Sequence, residues 1–102
     1  MINVIIKKDT KRNIRTVHVT GHAKYGPYGY DIVCAAVSVL TAALKVHLDH
    51  IGVVEDYRDT KDGGITIVFR EGYRSKEALL SFVFGIGLLL CDYGDFIQMT
   101  QE

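Results

Sequence analysis

Apolar and polar side chains alternate along two segments near the start of the chain, Met1–Lys7 and Arg15–Thr20. The apolar positions in this alternation are Ile2, Val4, Ile6, Val17 and Val19. A period of two is typical of strands with one buried face, because successive side chains of a strand point to opposite sides of the sheet. With the polar segment between them, the two strands are predicted to form a first β-hairpin.

The pattern changes to a helical period in the middle of the chain. From Ile32 to about Ile51 the surface is almost continuously apolar, polar residues recur at helical spacing, and Gly52 follows. This predicts a mostly buried helix that Gly52 ends. A second hairpin is predicted from Val53–Asp59 and Ile65–Arg70, which flank the turn sequence Asp62-Gly63-Gly64.

A second helix and a closing strand complete the pattern. Ser75 is the expected N-cap of this helix, Gly94 ends it, and Phe96–Thr100 reads as a short strand. The broad apolar face of the helix contains Leu79, Phe82, Val83, Ile86, Leu89, Leu90 and Tyr93. The order ββαββαβ predicts an α/β (α+β) fold: a single domain over residues 1–102, with two helices packed on a mixed or antiparallel sheet.

Composition narrows the class of protein. With 102 residues, 48% of them hydrophobic, the chain suffices for one core. Twelve basic and twelve acidic residues give no net charge, which disfavours direct nucleic-acid binding, and the basic cluster within Lys7–Arg15 is interpreted as a solvated turn. Two cysteines form no disulfide framework, no signal peptide is recognised, and the apolar stretch Ala78–Leu90 is too short to span a bilayer. A soluble, cytoplasmic protein is expected.

The segment Gly21–Tyr30 is predicted to be a mobile loop. It holds three glycines, the only proline of the chain and three tyrosines: Gly21, Gly26, Gly29, Pro27, Tyr25, Tyr28 and Tyr30. It has no Walker-type lysine–serine ending, so a phosphate cradle is not indicated. A lid is the better interpretation, with tyrosine rings covering a bound peptide.

Cys34 is the main candidate for chemistry. If Asp31 is the N-cap, Cys34 lies in the first helical turn, where the helix dipole favours a thiolate. Unpaired amides of that turn could hold an oxyanion. The alternative is a buried core cysteine, since Ala35 and Ala36 follow it. Cys91, among leucines late in the second helix, is predicted to be a core residue.

Other polar residues surround this candidate. His22, expected on the strand face of His18, is a possible general base. Asp31 caps the helix or orients His22, and capping is favoured. Ser38 and Thr41 either continue a polar track from the thiol or bond back to helix carbonyls. Two further histidines lack a third ligand, so no metal is predicted at His47 and His50.

One stretch of the sequence resembles a known family signature. Gly21-His22-Ala23, followed by Gly29-x-Asp31-Ile-Val-Cys34-Ala-Ala-Val-Ser38, is similar to the motif of the ribosomal-processing cysteine proteases called Prp. The resemblance implies an endopeptidase that removes an N-terminal extension from large-subunit ribosomal protein twenty-seven in Firmicutes and related bacteria, cutting after a pair of aromatic residues.

The resemblance also implies roles for particular residues. Cys34 becomes the nucleophile, His22 its base, and Asp31 and Ser38 supporting residues, with the glycine-rich loop as a flap, no cofactor and a homodimeric assembly. The segment Lys24–Tyr28 departs from the family, being more aromatic than its acidic version. Two other functions stay open: a non-catalytic ribosome-associated module that binds protein or RNA, and a thiol hydrolase acting on other esters or amides.

Overall fold

Five strands and two helices form in the predicted order in a computed structural model, which describes residues 1–27, 30–60, 64–71 and 77–102. The elements are β1 (Ile2–Lys8), β2 (Ile14–Thr20), α1 (Ile32–His50), β3 (Val54–Thr60), β4 (Gly64–Phe69), α2 (Glu77–Tyr93) and β5 (Ile97–Gln101). The expected N-cap Ser75 lies outside the described residues, and so do Asp62 and Gly63 of the expected turn.

The strands form one mixed sheet in the order β3-β4-β2-β1-β5. All neighbours are antiparallel except β1 and β5, which are parallel. In this register Thr20 lies opposite Asn3, and Val19 lies opposite Ile65. The C-terminal end of β2 therefore lies beside the N-terminal ends of β1 and β4.

The core fills the space between one face of this sheet and the two helices. The predicted alternation of β1 and β2 is confirmed, because Val4, Val17 and their period-two partners are buried. The buried side chains of α1 are Val33, Val37, Thr41, Leu44 and Leu48, and those of α2 include Leu79, Phe82 and Ile86. Their spacing of three and four residues gives each helix one inward face.

The C-terminus of α1 confirms the predicted stop at Gly52. This glycine has a φ of 74°, a left-handed conformation that side chains disfavour. The amide of Gly52 donates to the Asp49 carbonyl at 3.1 Å, and the amide of Val53 donates to the Leu48 carbonyl at 3.1 Å. Together the two bonds form a Schellman motif, which pairs carbonyls that the end of a helix leaves free.

By length and composition alone, α1 is apolar enough to cross a membrane, a test that core helices of soluble proteins also pass. In this fold its buried stripe packs into the core.

Cys91 is exposed, so its predicted place in the core is wrong. The inward face of α2 is set by Phe82 and Ile86. Position 91 lies five residues beyond Ile86, about 140° around the helix from it at 100° per residue, and therefore points outward. The run of leucines before Cys91 predicted burial, but the angular position of Cys91 around the helix axis places its side chain on the outer face.

The basic cluster lies in and beside the turn between β1 and β2, as the sequence predicts. Asp9 holds this turn by accepting hydrogen bonds from the amides of Lys11 and Asn13, each at 2.9 Å. Arg15 is tied to the sheet instead, through an ion pair with Glu55 at 2.9 Å. The cluster is therefore spread over a solvated turn and the two strands that flank it.

Candidate active site

The carboxylate of Asp31 connects the loop to the start of α1. Its Oδ1 accepts hydrogen bonds from the amides of Val33 and Cys34, both at 3.0 Å. Its Oδ2 accepts from the amides of Tyr25 and Gly26, at 2.9 and 3.2 Å. The predicted capping role is confirmed. Since both oxygens bond backbone amides, Asp31 positions the loop rather than a catalytic imidazole.

These four amides keep the carboxylate ionised. They lower the pKa of Asp31 below its ordinary value of 3.8, with the Cys34 amide as the largest cause and desolvation opposing them. Because the pKa of Asp31 is lower in the folded protein than in the unfolded chain, the ionised carboxylate stabilises the fold at pH values above the unfolded-state pKa. That contribution is lost as the pH falls through the lowered pKa.

Cys34 lies in the first turn of α1 with its side chain partly exposed. The amide of Ala23 donates a hydrogen bond to Cys34 Sγ at 3.4 Å. Ala23 is buried and directly follows His22. The sulfur therefore receives an N–H donor from the segment that carries the candidate base.

Gly21 turns the chain between β2 and His22. Its φ is 90°, and a Cβ there would lie 2.2 Å from the Met1 carbonyl oxygen, so a side chain does not fit. The turn breaks the strand alternation, and the predicted shared face of His22 and His18 is wrong. His18 bonds Thr66 Oγ1 at 2.6 Å within the sheet, whereas His22 lines the same cavities as Cys34.

Two cavities meet at Cys34. The first, the loop cavity, has a volume of about 480 Å³ and is lined by His22, Lys24, Gly26, Asp31, Cys34, Ala35 and Ser38. The second, the hairpin cavity, has a volume of about 250 Å³ and reaches Thr20, Gly21, Asp59, Thr60, Gly64 and Ile65. Both cavities include His22, Cys34 and Ser38. A groove therefore passes across the thiol, from the loop to the β3–β4 hairpin.

Most first-turn amides of α1 are already bonded. Asp31 Oδ1 accepts from Val33 and Cys34, and the Asp31 carbonyl accepts from the Ala35 amide at 3.0 Å. The cap that starts the helix therefore occupies two of the amides predicted to form an oxyanion hole, and the oxyanion hole in this turn stays a prediction. The amide that donates to the sulfur belongs to Ala23, for which no sequence pattern predicted a role.

Tyr25 anchors the loop to the C-terminal part of the fold. Its ring makes edge-on contacts with Tyr93 and Phe96, at centroid distances of 5.4 and 5.2 Å. It lines neither cavity, and the 81% exposed Tyr30 lines neither as well. Gly21 and Gly26 each border a cavity. The other two loop residues selected from the sequence, Tyr28 and Gly29, lie outside the described residues.

The remaining polar candidates separate into two groups. Ser38 is exposed and borders both cavities, whereas Thr41 is buried and donates its hydroxyl to the Val37 carbonyl at 2.7 Å. Thr41 therefore bonds back to its own helix and does not extend a polar track. His47 and His50 are exposed on α1, and in the described parts of the chain no three His, Cys, Asp or Glu residues cluster to hold a metal.

Comparison with known proteins decides the family. The family model described as cysteine protease Prp matches residues 1–98. The chain belongs to the Prp family. It is therefore a cysteine protease. This excludes the alternative of a non-catalytic binding module. No curated protein matches the sequence.

Solved structures share the Prp fold. Two are of the essential ribosomal processing protease Prp from S. aureus, one with a covalently linked product peptide and one with a substrate peptide. Their TM-scores are 0.86 and 0.81, with identities of 23% and 22% over all of both chains. A Streptococcus mutans protein, SMU.848, has a TM-score of 0.72 and 26% identity, over 99% of this chain and 93% of its own.

The divided role of Asp31 predicts the behaviour of Asp31→Asn. An amide side chain has one acceptor oxygen, so it can keep the helix amides or the loop amides, but not both pairs. In hydrogen exchange near pH 7, the amides of Tyr25 and Gly26 should lose protection while those of Val33 and Cys34 keep it, and peptide cleavage should fall. Unchanged protection of all four amides would contradict the account. Asp9→Asn, which changes a different turn, is the matched control.

Proposed function

We propose that this chain is a ribosomal-processing endopeptidase that removes the N-terminal extension of large-subunit ribosomal protein twenty-seven, cutting after a pair of aromatic residues. The observation that carries the proposal is the position of Cys34, at the start of a capped helix, with an N–H donor on its sulfur and His22 lining the same cavities. The likeness to the ribosomal processing protease of S. aureus supports the substrate class. The proposed location is the cytoplasm, where ribosomes assemble.

In the proposed mechanism Cys34 is the nucleophile and His22 its base. His22 takes the thiol proton, and Sγ attacks the scissile carbonyl carbon. The carbonyl oxygen then carries the negative charge. When the C–N bond breaks, His22 gives its proton to the departing amine, and a thioester remains on Cys34. Water, deprotonated by His22, attacks the thioester, which releases the acid and restores the thiol.

The amide of Ala23 is the proposed donor to the oxyanion. It lies 3.4 Å from Sγ, so it is close to an oxygen on the carbon that the sulfur attacks. Each donor of this kind typically contributes a factor of about 10² to 10³ in kcat. Unlike the amides of Val33 and Cys34, it is not bonded to the carboxylate of Asp31.

The loop cavity is the proposed pocket for the aromatic side chain before the cut. Its volume of about 480 Å³ lies within the range of ligand pockets, about 300 to 1,000 Å³. Most of its exposed wall is apolar, which suits an aromatic ring. Ser38, at the junction of both cavities, is proposed to support the bound peptide.

A homodimer is proposed from the outer surface of the helices. Val39 and Val46 of α1 and Phe84 and Leu88 of α2 are each at least 65% exposed. The broad face of α2 seen in the sequence is turned to the core, so this exposed surface is a separate stripe. Its apolar character suits burial against a second copy.

In sedimentation experiments Phe84→Asp should shift the protein toward monomer, and an unchanged dimer would count against this interface.

Replacement of the nucleophile is the main test of the proposed function. Cys34→Ser and His22→Gln should each abolish cleavage of the extended ribosomal protein, as read by mass, because they remove the attacking thiolate and its base. Cys91→Ser should cleave at the wild-type rate, since Cys91 is exposed on the outer side of α2. Circular dichroism checks that the variants are folded. Full cleavage by Cys34→Ser would end the proposal.

The oxyanion assignment has a separate test. An ester in place of the Ala23 amide, introduced by semisynthesis, removes the N–H and keeps the side chain. We expect kcat to fall about 10²-fold or more while KM changes little, because the donor acts on the charge that forms in the transition state. The matched control is an ester at Lys24, next along the chain. An equal, small effect of both esters would contradict the assignment.

A further inference from the structure

We propose that two charges without an ion pair in the described part of the chain give the groove a direction: Asp59 selects a basic substrate side chain after the cut, and Lys24 disfavours one before it. The inference rests on the proposed function, and it adds the residues that set the charge preference. Asp59 lines the hairpin cavity and Lys24 lines the loop cavity. The two charges therefore lie on opposite sides of Cys34.

The sheet register places Asp59 on the face that carries the groove. Asp59 pairs with Ile65, which shares the period-two face of the buried Ile67 and Phe69. Tyr57, two residues earlier, lies on that face as well, and its ring is 4.9 Å from the ammonium of Lys45 on α1. Asp59 thus lies near the C-terminal end of β3, on the face of the sheet that the helices cover, and it lines the hairpin cavity, which reaches Cys34.

Asp59 has no ionic partner among the described residues. The acidic residue on the opposite face of the same strand, Asp56, is paired with Arg58 at 3.0 Å. Lys45, the base on α1 that contacts the Tyr57 ring, is paired with Asp49. Among the residues that line the hairpin cavity, Asp59 supplies the carboxylate that would meet a cation on the substrate.

Lys24 is held in position by the Asp31 network. Its φ of 56° is left-handed, a conformation that lysine disfavours by about 1 kcal/mol. The next amide, that of Tyr25, is bonded to Asp31, and the ring of Tyr25 is packed against Tyr93. These contacts retain the strained backbone, which keeps Lys24 at the wall of the loop cavity. In the described chain no acidic side chain forms an ion pair with it.

The direction follows from the different walls of the two cavities. The loop cavity is the more apolar one and is the proposed site of the aromatic pair before the cut, so the hairpin cavity receives residues after the cut. A lysine after the cut is then attracted by Asp59. A lysine before the aromatic pair approaches Lys24 and is repelled, because the Asp31 carboxylate in the same cavity is already bonded to four backbone amides. Exposed charge pairs of this kind change rates by about twofold to fivefold.

The test is a set of peptides with two phenylalanines before the cut and alanines elsewhere. A single lysine or glutamate replaces one alanine, at each of three positions before the pair or after the cut. The measured quantity is kcat/KM relative to the all-alanine parent within each protein variant, so that a general loss of activity cancels. The variants are Asp59→Asn, Asp59→Lys and Lys24→Glu, with Asp56→Asn as the control on the opposite face of β3.

We expect the wild type to prefer lysine after the cut and to disfavour it before the pair, each by about twofold to fivefold, with both effects reduced at high salt. Asp59→Asn should remove the first preference, Asp59→Lys should reverse it, and Lys24→Glu should reverse only the second. Asp56→Asn should keep the wild-type ratios. Unchanged ratios in Asp59→Lys would overturn the charge readout alone, whereas failure of the wild type to cleave any peptide would overturn the proposed function with it.

Discussion

The carboxylate of Asp31 bonds four backbone N–H groups, two in the loop and two in the first turn of α1. Without this carboxylate the four donors would have no common acceptor, and the loop would lose its bonds to the helix that carries Cys34. The amides lower the pKa of Asp31, so the connection is charge-assisted throughout the neutral range. The residue therefore acts on the chemistry indirectly, by fixing where the loop lies.

The sheet order supplies the other half of the site. Because β2 lies between β4 and β1, its end meets the starts of both neighbours, and Gly21 turns the chain there toward α1. His22 and Ala23 follow that turn, and the β3–β4 hairpin forms the far wall of the groove. His22 and Cys34 thus line one cavity together with Asp59, which lies 25 residues after Cys34 in the chain.

Local signals account for what could be read from the sequence. The N-cap at Asp31, the stop at Gly52 and the strand alternation depend on neighbouring residues, and the structure confirms all three. The orientation of His22 depends on one φ angle, and the exposure of Cys91 depends on the phase of α2, which a run of leucines hides. Asp59 could not be selected at all, because only the strand order brings it to the groove.

The hydrogen bonds of the helix cap could be predicted only in part. A first helical turn does have unpaired amides, but the residue predicted to cap the helix takes two of them. The N–H that donates to the sulfur belongs instead to Ala23, which lies outside the helix.

The proposal that Cys34 is the reactive thiol of this protease is tested most directly by alkylation with iodoacetamide. Cys91 is exposed and Cys34 only partly so, which means that accessibility alone favours reaction at Cys91. The account predicts the opposite: below pH 8, peptide mapping should find Cys34 modified first and several-fold faster. Equal rates, or faster modification of Cys91, would contradict it.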